Sequence, residues 1–293
     1  MFSSRTLLKT LFIAATLWLA TPVNAELITV ESCYDRISAA SDRPAPERVL
    51  YVLIDQTTPW IKRDSNETEK GTDPISERMA EHISRLVSGW PQHSDMVYVI
   101  TFSAISEGRD VAEAFSVRTD GLPPESVENH WRQSQIRAFK ACFRNQSLKA
   151  RIAIKRGTRH ILEQADSSIG RSEILQSLHR FATTRLQQQT DAEITILVAS
   201  DLLENSSIMS FYQGGDTFAI DDEAALEYAN QVGLIPDFHG AKVFGIGLGL
   251  GSSLLKSFTG TQSVAAFWEG YFREGHGGLI ELGRPTLQRK ALN

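Results

Sequence analysis

An uninterrupted apolar run, Val49-Leu50-Tyr51-Val52-Leu53-Ile54, closes on Asp55 and is followed at once by Thr57 and Thr58. It is rich in β-branched and aliphatic residues and shows no polar alternation. That pattern fits a strand covered on both faces, at the centre of a parallel sheet. A strand of this kind requires helices on both sides, so the chain reads as an α/β, doubly wound, mostly parallel sheet. Ligand sites in such sheets lie at the carboxyl ends of the strands, where Asp55 falls. The segment Glu193 to Ala199 repeats the design and runs into Ser200-Asp201. If the two strands are neighbours, two carboxylates and several hydroxyls meet at one rim, a hard oxygen set suited to Mg²⁺ or Ca²⁺.

The remaining periodicity fills in this scheme. Strands are expected at 96–102, 242–249 and 278–282, and a shorter one at 111–117 pairs antiparallel with 96–102 across the loop holding Gly108. Helical spacing covers 74–87, 148–164, 172–187, 223–232 and 262–274, the last with Phe267, Trp268, Tyr271 and Phe272. Ser172 reads as an N-cap and Glu173 as a first-turn acid of its helix. Residues 118–147 read as a helical insertion in which Trp131, Ile136, Phe139 and Cys142 share a face. The resulting organisation is a signal peptide at 1–25, a leader at 26–47, one α/β domain at 48–283 and a tail at 284–293.

Arg5 and Lys9 precede the apolar stretch Leu11 to Ala20, and Val23-Asn24-Ala25 offers a small-x-small cleavage pattern. The stretch is shorter than the roughly 20 residues that span a bilayer, so it reads as a cleaved signal that meets the membrane only transiently. The expected location is the periplasm or the exterior. Removing residues 1–25 takes the net charge from −5 to −7, which disfavours nucleic acid as a partner. Cys33 and Cys142 are the only cysteines. In an oxidising compartment they read as one disulfide, with two buried free thiols as the alternative.

Several chemistries lack their signatures. Gly245, Gly247, Gly249 and Gly251 fail the dinucleotide pattern in both registers, since Leu250 and Ser252 stand at its sixth position. No zinc-hydrolase histidine pair and no Gly-x-Ser-x-Gly elbow occurs. An aspartyl-phosphate route would need an acid where Thr57 stands.

What remains is Asp55, Thr57, Ser172 and Asp201, and here the chain resembles the von Willebrand factor A-type domain. Asp55-Gln56-Thr57-Thr58-Pro59 is similar to the Asp-x-Ser-x-Ser motif of that family. Gly170-Arg171-Ser172 resembles its Gly-Gly-Thr segment, and Ser200-Asp201 its fourth-strand Asp. The resemblance implies a metal-ion-dependent adhesion site at these four residues, holding Mg²⁺ or Ca²⁺. It is a degenerate one, because Pro59 stands at the second hydroxyl position and offers no side-chain oxygen. The resemblance further implies a binding or assembly module that captures a protein partner and breaks no bond. Two other readings stay open: a metal-dependent hydrolase of phosphate or ester bonds, and a structural envelope protein with an inactive site. Asp55 and Asp201 could also serve only as caps or loop anchors.

Overall fold

The computed structural model describes residues 29–58, 60–61, 74–166, 168–186, 191–212, 220–253 and 257–292. The signal segment 1–25 and Pro59 lie outside the described residues. Among the described residues six strands form one sheet in the order β3-β2-β1-β4-β5-β6. They are β1 (Arg48–Asp55), β2 (Asp95–Phe102), β3 (Ala112–Arg118), β4 (Glu193–Ala199), β5 (Lys242–Ile246) and β6 (Gly278–Leu282). All neighbours are parallel except β2 and β3, which run antiparallel as expected. Among the described residues seven α-helices accompany them: α1 (Cys33–Arg36), α2 (Pro74–Gly89), α3 (Glu125–Glu128), α4 (Gln133–Glu163), α5 (Ile174–Arg185), α6 (Asp222–Gln231) and α7 (Phe258–Glu274).

The lack of alternation in β1 follows from its two buried faces. Val49, Tyr51 and Leu53 enter one core with residues of α5, α6 and α7. Leu50, Val52 and Ile54 enter the opposite core with residues of α2 and α4. Only Arg48 of β1 is partly exposed. At roughly 1.5–3 kcal/mol for each large apolar side chain removed from water, β1 is the strand the sheet is built around. In α7, Phe267, Trp268, Tyr271 and Phe272 are all fully buried. Its polar ring atoms find partners: Trp268 Nε1 donates to the Leu202 carbonyl and Tyr271 OH to that of Leu234, each at 2.9 Å.

The helix expected from residue 148 begins instead at Gln133 and continues without a break to Glu163. Gln146, in the polar stretch Asn145-Gln146-Ser147, lies inside this helix and is buried. Its amide is in fact a buried clamp. Gln146 Oε1 accepts from Asp120 N at 2.7 Å, and its Nε2 donates to Asp120 Oδ2 at 2.7 Å and to the Glu31 carbonyl at 3.0 Å. Asp120 also accepts from Cys33 N at 2.6 Å and pairs with Arg43 at 2.6 Å. The leader is thereby fixed to the first half of α4. Tyr34, Trp131 and Phe139 form a third small core there, with Ile136 and Cys142 against it. Cys33 and Cys142 are joined in a disulfide, with Cα atoms 5.6 Å apart.

Candidate functional site

The parallel register places Ile54 of β1 beside Ala199 of β4, so the residues that follow each strand emerge together at the carboxyl edge. Asp55 is fully buried and both of its oxygens are engaged. Oδ1 accepts from the Thr57 amide at 2.8 Å and the Thr57 hydroxyl at 2.6 Å. Oδ2 accepts from Ser172 Oγ at 3.0 Å and Ser200 Oγ at 2.7 Å. Asp201 lines the same small cavity as Thr57 and Ser172, together with Arg171, Asn205 and Tyr212. Its Oδ1 accepts from Leu203 N at 3.0 Å. The four residues singled out in the sequence thus share one rim.

Ser200 belongs with them, and its place beside Asp201 at the end of an apolar run was the available signal. Thr58 is buried and faces elsewhere, its Oγ1 accepting from the Asp201 amide at 3.0 Å. Trp60, shortly after β1, is fully buried, and its Nε1 donates to the Asp55 carbonyl at 2.8 Å. Backbone pairing fixes Ser172 in turn. Ser172 N donates to Asn205 O at 3.1 Å, and Asn205 N donates to Ser172 O at 2.8 Å.

Ser172 is not an N-cap. Helix α5 starts at Ile174, and Glu173 at its N-cap position makes no side-chain cap bond. Ser172 is drawn to Asp55, and Glu173, fully buried, accepts from the Ser106 amide at 2.8 Å. The open amide of Leu175 is satisfied by Glu204 Oε2 at 2.9 Å, from the loop after β4. A carboxylate at a helix N-terminus is favourable, but burial dominates here and pushes the Glu204 carboxyl up to about 7. Since the folded value lies above the ordinary 4.5, this group's contribution to stability is complete below pH 4.5 and is lost as pH rises through 7. Linkage puts the loss at about 3 kcal/mol. Glu204→Gln is therefore expected to gain on the wild type by about that amount between pH 4 and pH 8. Denaturation midpoints that track each other across this range would refute it.

Burial likewise raises the Asp55 carboxyl, against the lowering effect of its four donors. Asp201 is raised well above the usual carboxylate range, first by desolvation and then by the charge of Asp55. Among the described residues, no Lys or Arg pairs with either group. The donor set is all oxygen. Each hydroxyl that donates to Asp55 keeps lone pairs with which to face a cation. Such a set fits Mg²⁺ or Ca²⁺, although no cluster of three or more His, Cys, Asp or Glu exists among the described residues.

Gly247 closes the rim from β5 with φ at 107°, where a Cβ would lie 2.7 Å from the Ser200 carbonyl and 2.9 Å from Trp60. Gly247→Ala is expected to cost about 1–3 kcal/mol through backbone strain alone and to push Ser200 off Asp55. An unchanged melting temperature would contradict this.

The strand order, the antiparallel β3 and the gathering of three motif segments at one sheet edge define a von Willebrand A-like fold. No family model and no curated protein matches the sequence. Among solved structures, the chain is similar to an aerotolerance-related membrane protein from Bacteroides fragilis NCTC 9343. The identity is 14%, over 83% of this chain and 92% of that one, with a TM-score of 0.36. It is also similar to BatB from Bacteroides thetaiotaomicron, at 16% identity over 70% and 69% of the two chains, with a TM-score of 0.29. Proximal thread matrix protein 1 from the mussel byssus, whose adhesion-site motif holds zinc, matches at 13% identity over 80% and 49%, with a TM-score of 0.33. At these scores the neighbours add no weight to the assignment, which rests on the sheet and its rim.

Proposed function

We propose that the chain is an exported binding module that holds Mg²⁺ or Ca²⁺ at Asp55, Thr57, Ser172 and Asp201, assisted by Ser200. A carboxylate from a protein partner completes the cation's shell. The observation that carries this reading is a pair of adjacent carboxyls with hydroxyls around them and, among the described residues, no basic partner. Two like charges held in a poorly solvated place need a counter-charge, and a divalent cation supplies it. The cavity at the rim, about 220 Å³, is smaller than the roughly 300–1,000 Å³ of small-molecule pockets. Its small size supports recognition over catalysis, and among the described residues its lining includes no His or Lys to serve as a general base. The Cys33–Cys142 bridge supports an oxidising compartment and hence export.

Calorimetric titration of the full chain with Mg²⁺, Mn²⁺ and Ca²⁺ tests the cation site. Saturable heat is expected, and its absence with all three ions would remove the reading. For export, the intact mass of the chain recovered outside the cytoplasm should begin at Glu26. A mass that retains Met1 would contradict cleavage.

A further inference from the structure

We propose that the outward face of α4 is a docking surface for an anionic phospholipid membrane. Helix α4 holds eight basic residues against one acidic residue, Glu163. With net +7 on this helix and −5 on the whole chain, the rest of the molecule stands at −12. A net positive charge is therefore concentrated on one element about 46 Å long, in a molecule that is otherwise acidic. Part of it has structural employment. Lys140 pairs with Glu128 at 2.9 Å, Lys155 with Glu81 at 2.7 Å and Arg159 with Glu163 at 2.9 Å, while Arg151 donates to the Pro91 carbonyl. Arg137, Arg144, Lys149 and Arg156 are exposed, and none of them enters an ion pair among the described residues.

Two large apolar side chains sit among these free cations. Leu148 is 61% exposed and Ile152 is 45% exposed. Four residues apart, they stand on one face, one turn above the other, between Arg144 on one side and Arg156 on the other. An ordinary solvated helix face has no use for such a pair. Interfacial helices combine cations that attract lipid phosphates with apolar side chains that enter the acyl boundary. The surface is the convex ridge of a helix and not a groove, so it suits a broad, deformable layer better than an inserted peptide. The rim at Asp55 is a separate surface, and the two readings stand or fall apart.

The test is sedimentation of the full chain with phosphatidylcholine vesicles, with and without phosphatidylglycerol. The apolar segment Leu11 to Ala20 is common to every variant, so differences between variants report the helix face. Wild-type binding should rise with phosphatidylglycerol and fall with added salt. Arg144→Gln with Arg156→Gln should weaken it about fivefold for each cation removed. Leu148→Ser with Ile152→Ser should weaken it at least about tenfold, since both chains leave the acyl boundary. All four residues are exposed, and unchanged melting temperatures verify that the variants fold. Equal binding to neutral and anionic vesicles would overturn the proposal, as would insensitivity to either pair of substitutions. So would equal competition from polyglutamate or duplex DNA, which would assign the face to an acidic protein or a nucleic acid.

Discussion

Asp55→Asn is expected to eliminate the heat of Mg²⁺ or Ca²⁺ binding and to leave the metal-free protein at least as stable as the wild type at pH 7. The amide keeps the volume of the carboxyl and an oxygen for Thr57, but it removes one of two adjacent negative charges. Both carboxyls are raised in the folded state, chiefly by desolvation. Their contribution to stability is therefore complete below their ordinary value of 3.8 and is lost as pH rises through the folded values. At neutral pH without cation the pair costs stability, and the substitution relieves that cost at position 55 and lowers it at Asp201. Asn is a cleaner probe than Ala. Asp55→Ala would strand the Thr57 amide and the Ser172 and Ser200 hydroxyls, at about 1–3 kcal/mol for each buried group left unsatisfied. Melting in EDTA and calorimetry on the same sample decide the outcome. Undiminished heat from Asp55→Asn would end the claim that this carboxylate holds the cation.

Cys33→Ser with Cys142→Ser is expected to lower the unfolding free energy by up to about 4.7 kcal/mol, the chain-entropy value for a loop of roughly one hundred residues. The bridge spans a sequence separation of 109. It ties the leader to α4 at the end of the sheet opposite the rim, so cation binding at Asp55 should survive. Noncovalent contacts continue to hold the leader, among them the buried Asp120 with Cys33 N and Arg43 and the packing of Tyr34 on Trp131 and Phe139. The loss should therefore show in the denaturation midpoint while the secondary structure stays native. Identical midpoints with and without reductant would sink the expectation.

The sheet was legible because its signals are local. A short apolar run without alternation, rich in β-branched and aliphatic residues, fits a strand with two covered faces, and the residue at the end of such a strand emerges at the sheet's carboxyl edge. On that logic the sequence alone determined β1 and β4, the edge where Asp55 and Asp201 emerge, and the aromatic helix behind them. Chain pattern does not record which polar groups satisfy one another across long separations, and the tertiary structure decided these. Ser172 and Glu173 look like a helix start, yet Ser172 is claimed by Asp55 and Glu173 by Ser106, while the helix amide at Leu175 is satisfied by Glu204. A helix start at residue 148 is expected, yet Asp120 and the leader hold the buried amide of Gln146, and α4 runs straight through. The two cysteines could be counted in the sequence, but only the docking of the leader brought them within bonding distance. A buried polar group must find a partner wherever the fold supplies one, so its role is set by the neighbours that folding delivers.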